Sequence, residues 1–165
     1  MMGVGAVEAI LPHRHPMLLV DRVLEVEPGR RLTAQKAISA TEGCYRGVRP
    51  QLNDDAYAYP PPLLLESWCQ AAAILATWDD PSPDLADDRL LILGRVCDVV
   101  FKHAVLPGDV LEHRVQLVQG DDTSAVVHGD CLVGDEVVMS VGLVVLARRS
   151  TAVLTAVGGA SGPRA

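Results

Sequence analysis

The sequence predicts an α+β domain in which one antiparallel sheet is covered by a single long helix. Three observations carry this expectation. Two strand-like segments precede residue 41, one long apolar segment with helical signals fills residues 63–78, and four strand-like segments follow it with no second long helix. At 165 residues and 17.6 kDa the chain is long enough for one domain with a real core and short for two. The expected division is a single domain over residues 1–149 and a frayed tail over 150–165, which ends Gly-Gly-Ala-Ser-Gly-Pro-Arg-Ala.

Met17–Val26 reads as the first strand, buried on at least one face. Glu27-Pro28-Gly29-Arg30 turns the chain, because Pro and Gly pre-set the dihedrals of a turn. Arg31–Ala40 returns as a hairpin partner, with Leu32, Ala34, Lys36 and Ile38 on one face and Thr33, Gln35, Ala37 and Ser39 on the other. Thr41–Pro60 is a long loop of the kind that usually carries function. Pro60-Pro61-Pro62 opens the helix, since a first-turn N–H has no intrahelical partner to lose. Leu63–Trp78 continues it, roughly 24 Å at 1.5 Å per residue. Asp79-Asp80-Pro81-Ser82-Pro83 ends it. Strands are then expected over Arg89–Phe101, Val110–Val118, Ser124–Val133 and Glu136–Arg148, the last two joined at Gly134-Asp135.

Composition excludes several classes of function. Hydrophobic residues make up 49% of the chain and charged ones 21%, a globular profile rather than a disordered one. No apolar run approaches the ~20 residues of a membrane span, and the N-terminus carries no signal-peptide pattern, so a cytoplasmic protein is expected. A net charge of −7 argues against nucleic acid, whose phosphates need a positive surface. Cys44, Cys69, Cys97 and Cys131 are too scattered for a metal knuckle or a redox pair, so no metal is expected and the thiols are read as free. Aromatic residues are scarce at 4%, which leaves Val, Leu, Ile and Ala to build the core.

The helix carries the chemistry. Between Leu63 and Ala76 its only polar side chains are Glu66, Ser67 and Gln70, so an enclosed helix is expected rather than one with a wide wet face. Glu66 and Gln70 lie four apart and share a face. A carboxylate on an enclosed helix bears a large desolvation cost unless it is paired or protonated, the circumstance that makes a carboxyl group a general acid or base. The alternative is that Glu66 reaches solvent at one open edge of the helix. No basic residue lies within a turn of it.

Three blocks give the sequence a resemblance to a known family. Leu11-Pro12-His13-Arg14-His15-Pro16-Met17-Leu18-Leu19-Val20-Asp21-Arg22-Val23, Tyr59-Pro60-Pro61-Pro62-Leu63-Leu64-Leu65-Glu66-Ser67-Trp68-Cys69-Gln70-Ala71 and Phe101-Lys102-His103-Ala104-Val105-Leu106-Pro107-Gly108-Asp109 resemble the β-hydroxyacyl-acyl-carrier-protein dehydratases of fatty-acid and polyketide synthesis. The resemblance spans roughly residues 7–149 and implies a hot-dog fold, a sheet wrapped around a central helix. It also implies dimers with sites at their interface, and a substrate carried on the phosphopantetheine arm of acyl carrier protein with no other cofactor. In the family a His from a Gly-His-Phe-Pro segment takes the α proton. A carboxylate on the other protomer's helix protonates the leaving hydroxyl, and a backbone N–H at that helix start polarises the thioester carbonyl.

Glu66 matches the carboxylate and Gln70 the family's supporting Gln. The base does not carry over: with Gly47 on the family's Gly, Val48 stands at the His position, and valine transfers no proton. Asn53-Asp54-Asp55-Ala56 reads as an insertion of about four residues. Pro60-Pro61 replaces the family's Pro-Gly, removing one N–H from the helix start while Leu63 keeps its own. Tyr45, Tyr57, Tyr59, Asp54 and Asp55 are the candidate substitutes, against a solvated loop tip for the two aspartates. His13, His15, His103, His113 and His128 are expected to be structural, surface or hydrogen-bonded histidines. Arg46, Arg49, Lys102, Arg148 and Arg149 are candidate contacts for an acidic carrier protein, against plain surface basic residues.

Three readings follow. The chain is a non-standard dehydratase subunit that keeps the acid and takes its base from a related chain, with a homo-dimer or a hetero-dimer with a related dehydratase chain both left open as its assembly. It is an enzyme of altered chemistry, an isomerase or thioesterase. Or it is a non-catalytic subunit that binds an acyl chain or its carrier.

Overall fold

The computed structural model describes residues 1–48, 54–81 and 90–150, with the side chains of Asp54 and Leu90 outside that description. Arg49 and the tail from residue 151 also lie outside the described residues.

A seven-stranded antiparallel sheet forms the body of the molecule. Its strands are β1 (Met2–Gly3), β2 (Arg22–Glu27), β3 (Arg31–Ala37), β4 (Leu90–Phe101), β5 (Val110–Gly120), β6 (Ser124–Val133) and β7 (Glu136–Arg149). Their order across the sheet is β1-β2-β3-β5-β6-β7-β4. A short helix α1 (Val4–Glu8) precedes β2, and the long helix α2 (Pro61–Ala76) stands between β3 and β4 in sequence. The α+β architecture is the expected one, and α2 is the central helix that the sheet wraps.

The strand phases set which side chains meet that helix. Leu32, Ala34 and Lys36 of β3 and Leu111, His113 and Val115 of β5 are all buried, as side chains alternating with a period of two require. From Ser67 to Leu75 every residue of α2 is buried, whereas Pro61 and Pro62 are exposed and Leu63, Leu65 and Glu66 half-buried. Trp68 is fully buried, and its indole N–H points between Arg114 O and Asp130 O, each at 3.2 Å. Gly129 makes room for it: φ is +153°, and a Cβ there would lie 2.0 Å from Arg114 O and 3.3 Å from the Trp68 ring.

Two departures from the expected elements bear on the site. The strand expected from Met17 begins only at Arg22, because the backbone of residues 17–19 pairs with the Gln70 side chain instead of a neighbouring strand. The loop after β3 contains 3₁₀ turns at Gly43–Tyr45 and Asp54–Tyr57. The short N-terminal elements β1 and α1 have no counterpart in the sequence reading. β4 ends the sheet as a twelve-residue edge strand with Leu93, Val100 and Phe101 exposed.

Candidate functional site

Gln70 organises the site. It is fully buried, and its three hydrogen bonds fix the orientation of its amide. Oε1 accepts from Leu19 N at 2.8 Å, while Nε2 donates to Met17 O at 2.8 Å and to Glu66 Oε1 at 2.9 Å. One side chain thus pulls the N-terminal segment onto α2 and holds the carboxylate one turn away. The segment reaches the helix through a turn in which Met17 N and Leu18 N donate to Arg14 O, with the His15–Pro16 peptide cis.

This arrangement delivers His13 to Glu66. His13 Nε2 lies 3.4 Å from Glu66 Oε1, and both side chains are about one-third exposed. The expectation that His13 is merely structural omitted this contact, which joins residues 53 apart. Oε1 faces both Gln70 and His13, leaving Oε2 as the oxygen of Glu66 available to a bound molecule. Glu66 is therefore not enclosed. It sits at the open edge of the helix, where α2 leaves the core.

An apolar cavity of about 160 Å³ extends from this point along the helix. His13, Glu66 and Gln70 line one end, and Leu11, Ala73, Leu91, Leu93 and Leu146 line the walls. Cys69 also faces it, but burial, with a smaller contribution from the Glu66 charge, pushes the thiol up to about 12, so it offers no thiolate at neutral pH.

The residues considered as substitute bases lie elsewhere. Tyr45 and Tyr57 rings approach to 6.0 Å, and Tyr59 lies under Lys36, whose Nζ is 5.7 Å from the ring centroid and 2.9 Å from Glu42 Oε1. Burial first, then the charges of Cys44 and Glu42, pushes the Tyr45 hydroxyl up to about 12. Burial and Glu42 raise Tyr59 further still. Both hydroxyls stay protonated and neither acts as a base. None of Tyr45, Tyr57, Tyr59 and Asp55 lines the cavity beside Glu66. Asp55 is exposed, and the Asp54 side chain lies outside the described residues. The buried Lys36–Glu42 pair was missed by sequence reasoning. Its signal was a lysine in the apolar phase of β3.

Pro60, Pro61 and Pro62 have no N–H, and both Leu63 N and Leu64 N donate to Pro60 O, at 2.9 and 3.0 Å. Tyr59 N is bonded to Val105 O at 2.7 Å. Leu63 keeps its donor but spends it within the helix, so no backbone amide from residue 59 to 64 is free for a ligand. Val48, at the position expected to hold a base, is half-buried against the core, with its N–H bonded to Tyr45 O at 3.1 Å.

Comparison with known proteins identifies the family. The FabA-like domain model matches residues 11–142. The chain belongs to the FabA-like family. A 3-hydroxyacyl-[acyl-carrier-protein] dehydratase FabZ from Symbiobacterium thermophilum is 40% identical over 127 residues, covering 77% of this chain and 84% of that protein. A FabZ from Campylobacter fetus is 33% identical over 140 residues, covering 84% and 92%. Among solved structures, the dehydratase heterocomplex ApeI:P from Xenorhabdus doucetiae aligns with a TM-score of 0.74 at 20% identity, over 93% of this chain and 97% of that one. A fluoroacetyl-CoA thioesterase, FlK, aligns at 0.60 and 13% identity over 84% of this chain and 99% of that one. At these identities the two structures speak for the hot-dog fold alone.

Among the basic residues considered for carrier docking, Arg46, Lys102 and Arg149 are exposed. Arg148 is engaged within the fold. Its guanidinium is held by Ala76 O at 3.0 Å and Asp80 Oδ2 at 3.3 Å, at the far end of the same cavity. His103 pairs with Glu136 at 3.1 Å on the surface. His113 departs from the expected surface or hydrogen-bonded histidine: it is fully buried, neither ring nitrogen has a protein hydrogen-bond partner, and burial, with Lys36 nearby, lowers it to about 3. It is a neutral core residue.

Proposed function

We propose that this chain is the acid-supplying subunit of a two-chain dehydratase that acts on 3-hydroxyacyl thioesters carried by acyl carrier protein. The observation that carries the reading is the Glu66–Gln70–His13 arrangement at the mouth of an apolar cavity, with Val48 read at the position of the family's base. Glu66 in its acid form donates its proton to the β-hydroxyl, which leaves as water. A histidine of the partner chain takes the α proton, and the electrons of that C–H bond form the new α–β double bond. Gln70 and His13 occupy Oε1 and leave Oε2 for the hydroxyl.

The long exposed edge of β4 supports a second chain as the missing half, since its unpaired N–H and C=O groups are a template for another strand. The FabZ relatives support the dehydratase part of this reading. The α2 start offers no amide for the thioester carbonyl, and losing one oxyanion donor typically costs ~100- to 1,000-fold in rate. The site on Glu66 is therefore a slow one unless the partner supplies a donor.

Reconstitution tests the reading. The purified chain is expected to release no enoyl thioester from 3-hydroxyacyl-acyl carrier protein. Mixing it with a FabZ-type chain that carries an intact Gly-His segment, itself inactivated at its own helix carboxylate, restores turnover. Glu66→Gln in this chain then lowers that turnover by ~100-fold or more. Turnover by the chain alone, or an unchanged rate with Glu66→Gln, overturns it. Saturable carrier binding with no product in any mixture favours a non-catalytic subunit instead.

A further inference from the structure

The cavity beside Glu66 has a second polar end, and that end has a defined chemistry. Glu66 and Thr77 are eleven residues apart on one face of α2, roughly 16 Å along the axis at 1.5 Å per residue. Between them the lining is apolar, with Cys69, Ala73, Leu91, Leu93 and Leu146. At the far end stand Thr77, Asp80 and Arg148. The Thr77 hydroxyl donates to Ala73 O at 2.8 Å and is already used. Arg148 sits on β7 opposite Leu91 of β4, so the sheet register places it across the end of the cavity. Its guanidinium donates to Ala76 O in the last turn of α2 and to Asp80, a cation at the negative end of the helix. The arginine side chain is only 20% exposed.

We propose that Arg148 is a specificity-determining residue that sets the maximum length of acyl chain the cavity accepts. The proposal rests on the reading of this cavity as an acyl site. Each methylene that enters the apolar stretch raises affinity about fourfold. A chain long enough to reach Arg148 must displace the guanidinium from a carbonyl and a carboxylate, and a charge-assisted bond of this kind is worth more than tenfold. The second effect exceeds the first, so binding gains stop where the chain meets the arginine. Medium-length tails are favoured and long ones excluded.

Binding of a non-reactive series separates this from the dehydratase reading. N-acyl pantetheine amides from hexanoyl to palmitoyl are titrated into the full chain by calorimetry, with circular dichroism confirming that each variant is folded. For the wild type, affinity climbs along the series and then levels off or falls. Arg148→Gln shifts that cut-off to longer chains by at least one two-carbon step and relieves the longest member about tenfold. Ala73→Val, which narrows the middle of the cavity, shifts it to shorter chains and serves if the arginine variant does not fold. A cut-off unmoved by both, an equal loss across all lengths in Arg148→Gln, or no binding by the wild type overturns the proposal. A cut-off that moves while no reconstituted mixture turns over supports the arginine and refutes the dehydratase reading. Turnover with an unmoved cut-off does the reverse.

Discussion

Gln70→Leu removes the side chain that ties the N-terminal segment to α2, and its cost can be worked from the structure. Three hydrogen bonds disappear, but their orphaned partners are not equally placed. Met17 is 43% exposed and Glu66 about one-third exposed, so the Met17 carbonyl and the Glu66 carboxylate can turn to water at little cost. Leu19 is 4% exposed, and its N–H becomes a buried donor with no acceptor, a loss of about 1–3 kcal/mol. With a few tenths from each exposed partner the total is about 2–3 kcal/mol, a large share of the ~5–15 kcal/mol that stabilises a typical domain. Urea unfolding followed by the fluorescence of buried Trp68 measures it. With an m-value of about 2 kcal/mol/M the midpoint falls by about 1–1.5 M. Gln70→Glu keeps an acceptor for Leu19 N but places a second carboxylate one turn from Glu66, a like-charge pair. A Gln70→Leu midpoint within about 0.2 M of the wild type would refute the claim that this side chain holds the segment.

Two further substitutions probe the core beneath the site. His113 is held neutral in the fold at about 3, below its ordinary 6.5, so the unfolded chain takes up the proton first. Stability is then full above about 6.5 and declines by about 1.4 kcal/mol per pH unit as pH falls towards about 3. His113→Leu leaves no partner unsatisfied and is expected to match the wild type at neutral pH while removing this part of the acid sensitivity. Equal slopes of urea midpoint against pH for the two proteins contradict it. Gly129→Ala puts a Cβ 2.0 Å from the Arg114 carbonyl and is expected to cost about 3–5 kcal/mol. Gly134→Ala, also at positive φ but with open space around it, costs about 1–2 kcal/mol, and similar unfolding midpoints for the two remove the close-packing argument.

The strands and α2 were legible because their signals are local. Period-two alternation placed Leu32, Ala34, Lys36 and Ile38 on one face of a strand, and all four are buried. The run from Leu63 to Ala76, with three polar side chains, marked the helix and Glu66 on it. What was not legible depends on contacts between distant segments. Met17–Val20 has the composition of a strand, yet the backbone of residues 17–19 is claimed by a glutamine more than fifty residues later. His13 and Glu66 meet only because of that claim. Arg148 read as one more surface cation, because nothing in its neighbourhood along the chain shows that the last turn of α2 and Asp80 wait across the sheet.

On the proposed function, the two departures at Val48 and at the triple proline differ in kind, and the difference bears on how the chain would be used. On the proposed reading, Val48 stands where a base would be, and a second protomer would supply that base. The triple proline removes an amide on the same helix as Glu66, and Pro60 O takes up the next two N–H groups as well. A homodimer of this chain would hold two sites lacking both the histidine and the helix-start amide. In a mixed dimer the partner's histidine can face Glu66, while the other site, with the partner's carboxylate and helix start, faces Val48 and has no base. Only one of the four arrangements of loop and helix, the partner's own loop with its own helix in a homodimer of the partner, keeps every part. Gln70 bonded to Glu66, with an open cavity behind it, is the feature on which the proposed reading of a retained acid rests. The reconstituted pair should therefore be slower than the partner's homodimer by about the ~100- to 1,000-fold of one missing oxyanion donor.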